Sequence, residues 1–164
     1  MKKALELRDV SLLINRKKIL NSVSFEVDFG ECIGVLGHYG SGKTVLLNLV
    51  SSLWLPTTGD ISINGVESKN FPLSMRKSIG YVPEIDSLDS EFNVIDNLSL
   101  FARYFGATQK SSYKITEELL NFLSIDNLKF KFYEELDRDQ SKLVSLCRAL
   151  ITKPEILLID ELSK

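Results

Sequence analysis

The stretch Cys32-Ile33-Gly34-Val35-Leu36-Gly37-His38-Tyr39-Gly40-Ser41-Gly42-Lys43-Thr44-Val45-Leu46-Leu47-Asn48-Leu49-Val50 decides the fold. Its centre, Gly37 to Thr44, fits the spacing G-x-x-x-x-G-K-S/T, a loop whose backbone N–H groups cradle phosphates. The residues ahead of it predict a short buried strand over 32–36, and the apolar run 44–50 predicts the helix that follows. The glycines then fall at a strand-to-helix turn. Residues without side chains let several N–H groups meet one anion, and the helix N-terminus adds partial positive charge. In such a loop Lys43 brings a full charge to the β and γ phosphates of a triphosphate, and the Thr44 hydroxyl can coordinate Mg²⁺. Gly37, His38, Tyr39, Gly40, Ser41, Gly42, Lys43 and Thr44 are therefore the candidate nucleotide contacts. The alternative is a glycine-rich turn that holds no ligand. His38 occupies a variable position of the loop and is given no catalytic part.

A second element far along the chain completes the pattern. Ile156-Leu157-Leu158-Ile159 reads as a buried parallel strand, and it ends in Asp160-Glu161. Four apolar residues followed by an acid can deliver a carboxylate, Asp160, to Mg²⁺ beside the phosphates. Glu161 next to it is the candidate to orient or deprotonate an attacking water, with a turn cap as its alternative role.

Composition sets the class. The chain has 164 residues, 44% apolar and 26% charged, with a net charge of −2, which gives no basic surface for nucleic acid. No run approaches the roughly 18 apolar residues of a membrane span, and Met1-Lys2-Lys3 leads into an amphipathic strand, so a cytosolic or peripheral protein is expected. Both cysteines are expected in the core. Cys32 would lie in the strand before the loop, and Cys147 on a helical stripe with Leu143, Leu146 and Leu150. Trp54 is expected to pack a helix end.

Period-two alternation predicts strands over Leu5–Val10, Val23–Val27 with a turn at Asp28-Phe29-Gly30, and Gly59–Gly65. Ile79-Gly80-Tyr81-Val82 is a further strand, stopped by Pro83. Helical spacing follows in Val94, Leu98, Phe101 and Phe105, and again in Ile115, Leu119, Phe122 and Leu123. Another helix is expected near 140–151.

With these motifs in place the chain resembles the ATP-binding-cassette (ABC) transporter ATPases over essentially its whole length. The Walker A loop (37–44) and Walker B strand (156–161) carry the resemblance, together with Leu7-Arg8-Asp9-Val10, Val23-Ser24-Phe25, Pro56-Thr57-Thr58-Gly59-Asp60-Ile61 and Ile79-Gly80-Tyr81-Val82-Pro83. The stretches Phe92–Leu98 and Phe101–Gly106 resemble the ABC-2 export branch of nodulation-factor and drug exporters. The resemblance implies an α/β P-loop NTPase fold, with a catalytic core over 1–88 and 144–164 and an inserted helical subdomain over 89–143. It implies Mg²⁺ and ATP as cofactors, catalytic roles for Lys43 and Glu161, a second ATPase domain and a membrane permease as partners, and a place on the cytoplasmic face of a membrane.

Departures from the family pattern bear on activity. Leu136-Asp137-Arg138-Asp139 stands where the family has Leu-Ser-Gly-Gly, a signature that reaches the γ-phosphate on a partner's loop. A carboxylate about 4 Å from a phosphate charge costs on the order of 4 kcal/mol at an effective dielectric of about 20. The other reading is that Asp137-x-x-Gln140, at capping-box spacing, caps its own helix. The family's glutamine is Glu84, which keeps an oxygen for Mg²⁺ but adds charge. The adenine-stacking aromatic falls at Ile14, which can pack against the base without a π face, and the second hydroxyl after the lysine is Val45. The chain closes at Asp160-Glu161-Leu162-Ser163-Lys164 where the family continues through another strand and a γ-phosphate-sensing histidine. The resemblance thus predicts a core sheet lacking its C-terminal part, between the phosphate-loop and Walker B strands. An ATP-binding exporter subunit is the first expectation. A non-hydrolytic degenerate partner or a fragment without independent activity is the second.

Overall fold

The structure, a computed structural model, describes residues 3–70, 73–85 and 88–161, with the backbone alone for 73–75. Met1-Lys2 and the closing Leu162-Ser163-Lys164 lie outside the described residues. The chain divides into two compact units, Met1–Arg76 and Lys77–Lys164.

The first unit is built on an antiparallel sheet of β1 (Leu5–Ile14), β2 (Lys17–Val27), β3 (Thr58–Ile63) and β4 (Val66–Glu67), in the order β2-β1-β3-β4. Alternation explains it. Leu5 and Leu7 are buried on one face, opposite Val27 and Phe25 of β2 on one side and Ile63 and Ile61 of β3 on the other. Each such fully buried aliphatic side chain contributes about 1.5–3 kcal/mol. Both strands run further than alternation alone suggested. They meet in a two-residue turn, Asn15-Arg16, whose φ values of 49° and 64° match the left-handed turn that suits twisted hairpins. The helix α1 (Lys43–Val50) follows the glycine loop, packs against β2 and buries Leu46, Leu49 and Val50. Trp54 stands just past it, its N–H on Asn48 O at 3.1 Å.

The strand expected over 32–36 is absent. Residues 31–38 are neither strand nor helix and every one is exposed, with Ile33 43% and Leu36 95% accessible. A strand exists only where a neighbouring ladder takes its N–H and C=O groups, and among the described residues β1–β4 pair only with one another. The apolar run signalled a burial that only such a neighbour could provide. For the same reason Cys32 is exposed and is not a core thiol, whereas Cys147 is fully buried.

The second unit holds a parallel pair, β5 (Ile79–Val82) and β6 (Ile156–Ile159), in the register Ile79↔Ile156 to Val82↔Ile159. Three helices accompany it, α2 (Val94–Tyr104), α3 (Gln109–Phe122) and α4 (Arg138–Leu150). Each has a side-chain N-cap. Asn93 Oδ1 accepts from Asp96 N at 2.9 Å, Thr108 Oγ1 from Ser111 N at 3.2 Å, and Asp137 Oδ1 from Gln140 N at 2.8 Å. The core joins Val94, Leu98 and Ala102 of α2 to Leu120 of α3, Leu128, and Val144 and Cys147 of α4. A buried hydrogen bond of 2.7 Å between the Ser99 and Ser112 hydroxyls ties α2 to α3.

The buried stripe of α4 differs from the one expected. Leu143 is 38% exposed, and the helix instead buries Val144 and Cys147 with Ser141, Ser145 and Ala149, small residues four apart. The cause is close backbone approach to β5. A Cβ placed on Gly80 would stand 2.7 Å from Ala149 O and 2.8 Å from Pro154 Cγ. Side chains as large as Leu143 have no room at so close a contact.

Candidate nucleotide site

In the first unit the loop Gly37–Thr44 closes on itself. Ser41 N donates to His38 O at 3.2 Å, and Gly42, at φ 94°, turns the chain into α1 as its N-cap. Only glycine reaches that conformation at low cost, and an added Cβ would also stand 3.0 Å from Leu20 Cδ2 of β2. Lys43 folds back over the loop. Its Nζ donates to Gly37 O at 2.9 Å and His38 O at 3.1 Å, which leaves one of the three ammonium protons outside these bonds. His38 Nδ1 lies 2.9 Å from Tyr39 O, so the ring is engaged locally, and Tyr39 is 90% exposed. No acid occupies the first turn of α1. Positive end, lysine and exposed loop therefore present one sign of field, which suits an anion. Thr44 is exposed and Val45 half-buried at the start of the helix. Ile14 is exposed at the end of β1, beside the hairpin turn of the same unit.

In the second unit the ladder continues one bond past β6, with Asp160 N donating to Val82 O at 2.9 Å. Asp160 is thereby held at the strand's C-terminal end, 2% exposed, and its Oδ2 is buried with no hydrogen-bond partner among the described residues. A buried carboxylate oxygen without a donor is costly unless a cation meets it. Beside it stands Tyr81 of β5. Burial, then the charge of Asp160 and a hydrogen bond to it, and lastly the charge of Glu84, push the Tyr81 phenol up to about 12. Glu161 follows with φ 50°, a left-handed conformation. Glu84 sits just after β5, where Lys142 Nζ from α4 donates to Glu84 O at 3.1 Å and to Pro83 O at 2.6 Å.

The donor chemistry fits Mg²⁺. Among the described residues no three acids, histidines or cysteines gather as a metal cluster, yet a Mg²⁺ shared with phosphates takes only one or two protein oxygens and completes its shell with water. The exposed Thr44 hydroxyl of the first unit and the orphaned Asp160 oxygen of the second are each, taken separately, an oxygen of that kind. The expected sites thus fall into two groups. Gly37 to Val45 and Ile14 belong to the first unit, and Glu84, Asp160 and Glu161 to the second.

Two residues beside the site escaped the sequence, Tyr81 and Lys142. A parallel register between 79–82 and 156–159 would have revealed the first, but pairing is not written in either segment alone. At the start of α4, Asp137 accepts from its own helix, so of the two readings of Leu136-Asp137-Arg138-Asp139 self-capping is the one observed. Gln140 Oε1 is buried without a partner among the described residues, so only half of the capping box forms.

Comparison with known proteins agrees with this architecture. Residues 20–164 match the family model described as ABC transporter. The chain is 34% identical over 157 residues to a Nod factor export ATP-binding protein I of Burkholderia lata, covering 96% of this chain and 52% of that protein. Against a protein of the same name from a Rhizobium species (strain N33) the identity is 35% over 160 residues, 98% of this chain and 53% of the other. The chain thus spans about half the length of these relatives. Among solved structures, the ATP-binding cassette MJ0796, a dimer in a post-hydrolysis state bound to ADP and Pi, superposes with a TM-score of 0.86 at 22% identity over 96% of this chain and 73% of that one. CbiO1 from Clostridium perfringens, part of the ABC transporter complex cbiONQ, gives 0.83 at 23% identity over 98% and 66%. The structures speak for the P-loop NTPase fold, and with the family match over most of the chain they place this protein in the ABC transporter ATP-binding family.

Proposed function

We propose that the chain is the nucleotide-binding part of an ATP-driven export system, with the phosphates seated on Gly37–Thr44. The observation that carries this reading is the loop itself, a glycine-turned helix start with Lys43 folded over its carbonyls and no acid in the first turn of α1. Lys43 and the loop N–H groups bind and orient the phosphates, and Ile14 offers an exposed apolar surface for the base. Thr44 in the first unit, and Asp160 with Glu84 as a further oxygen in the second, are each candidate ligands for Mg²⁺, whose charge would offset that of the β and γ phosphates. Glu161 is the group placed to take a proton from the attacking water. The names of the curated relatives support export as the purpose, and the dimeric neighbour supports a second ATPase domain as a partner. The reading includes a membrane permease as partner, with this chain bound on its cytoplasmic side; no helix among the described residues is itself long and apolar enough to cross a membrane. Calorimetry with Mg-ATP tests the reading. The chain should bind and Lys43→Ala should not, and equal affinities for the two would remove it.

A second reading, a degenerate partner that binds ATP without hydrolysing it, is favoured by Asp137. Its carboxylate takes up the Gln140 N–H that an open helix end would offer to another molecule's phosphate. On this reading steady-state ATP turnover by the chain should not exceed that of its own Glu161→Gln variant. Clear Glu161-dependent turnover would show that the acidic turn is tolerated.

A further inference from the structure

We propose that Tyr81 is a positioning residue for the metal site, its hydroxyl donating to one oxygen of Asp160 so that the other oxygen is held free to face the ion. The inference rests on the nucleotide reading above and deepens it.

The geometry comes from the ladder. Tyr81 lies directly opposite Leu158 in the parallel pair, so the two side chains share a face of the sheet. Asp160 follows Leu158 by two residues and, with its N–H on Val82 O, is still in ladder register, so it projects from that same face. The phenol of Tyr81 and the carboxylate of Asp160 are thus brought together by the strand pairing, and a hydrogen bond joins them. The carboxylate is almost fully buried, yet Oδ2 makes no hydrogen bond among the described residues. A carboxylate held at one oxygen and open at the other cannot rotate without losing its donor. That restriction is what a ligand for a geometrically demanding ion requires, since Mg²⁺ tolerates little departure from octahedral geometry, and outer groups that orient a ligand affect metal affinity strongly.

A packing role and a positioning role predict different things for Tyr81→Phe, which removes only the hydroxyl. The experiment measures ATP affinity of the chain and of Tyr81→Phe by calorimetry, once with Mg²⁺ and once in EDTA, with the melting temperature of each. Loss of a hydrogen bond to a charged group should reduce the Mg²⁺-dependent gain in affinity about tenfold and leave the metal-free affinity unchanged. In an Asp160→Asn background the same change should have no further effect on that gain, because the carboxylate it orients is gone. Tyr81→Gln, which returns a donor, should recover much of the loss. If Tyr81→Phe fails to fold, Tyr81→Met removes the donor while filling similar space and is compared in the same way. An equal Mg²⁺ gain in wild type and Tyr81→Phe overturns the positioning role alone, as does a loss of equal size with and without metal. Absence of Lys43-dependent ATP binding in the wild type overturns both the inference and the nucleotide reading beneath it.

Discussion

Two apolar stretches of this chain, Cys32-Ile33-Gly34-Val35-Leu36 and Ile79-Gly80-Tyr81-Val82, have nearly the same character, yet the second is a strand and the first is not. Each carries a glycine amid β-favouring residues and each precedes a residue group proposed for the nucleotide site. The second finds Ile156–Ile159 in parallel register and is roofed by α4, whose backbone comes within contact of Gly80. The first has no ladder on either side among the described residues, and its side chains stand exposed. Propensity and hydrophobicity are therefore permissive for a strand. Pairing decides, because unpaired backbone groups in an apolar surrounding cost more than the apolar side chains return.

The largest effect expected from this contrast is chemical, because one cysteine lies in the unpaired stretch and the other on α4, the helix that covers the paired one. Cys32 is exposed in the unpaired stretch, whereas Cys147 is fully buried on α4 with its thiol pushed up to about 12 by that burial. A neutral disulfide reagent at pH 7.5 should label Cys32 at once, and Cys147 at least about a thousandfold more slowly, since reaching it requires an opening that costs about 5 kcal/mol or more. Mass mapping of time points separates the two sites. Equal rates would mean that the second unit is no better packed than the loop region, and the comparison would fail.

Next in size is the response to a side chain on the glycine. At Gly80 a Cβ meets Ala149 O at 2.7 Å and the Pro154 ring at 2.8 Å, neither of which can yield without moving backbone, while at Gly34 it meets nothing within 4 Å. Gly80→Val should destabilise the second unit by about 3 kcal/mol, and Gly34→Val should lie within about 0.5 kcal/mol of wild type. Urea titrations of the two variants decide it. A large cost at Gly34 would show that residues 32–36 spend most of their time packed.

These contrasts also mark what could be read in advance. The alternation in Leu5-Glu6-Leu7 and Ile61-Ser62-Ile63 reports a one-sided sheet because each strand there carries its own burial pattern, and Asn93, Thr108 and Asp137 announce their helices because capping is local chemistry. The loop Gly37–Thr44 was legible for the same reason, its conformation being set within eight residues. What lay beyond reach was non-local. The hairpin turn at Asn15-Arg16 carries no glycine to announce it, the inward face of α4 is chosen by Gly80 some 65 residues away in the sequence, and the fate of 32–36 depends on a neighbour that no property of the segment specifies. Glu161 and Asp160 could be proposed from their place after Ile156–Ile159, but the Tyr81 hydroxyl beside them follows only from the register of the pair.

The smallest effect concerns the start of α4, the helix that covers the paired stretch. Asp137 holds the Gln140 N–H at 2.8 Å, and the return half of the capping box is not made, since Gln140 Oε1 is buried without a partner among the described residues. One cap bond is therefore at stake, and Asp137→Ala should cost about 1 kcal/mol, while Asp137→Ser, which can accept the same N–H, should cost a few tenths. The loss should fall on the second unit alone, as faster hydrogen exchange at the first turn of α4 and, through Lys142, at the amides of Glu84 and Ile85, which adjoin the Pro83 and Glu84 carbonyls it holds. Exchange in β1 and β3 should not change. Because Asp137→Ser and Asp137→Ala both remove the carboxylate that would face a partner's phosphate, the pair separates the two functions of this residue. If both variants gain ATP turnover equally while differing in stability, charge at the helix end limits activity. If turnover follows stability instead, the cap is the whole of its role.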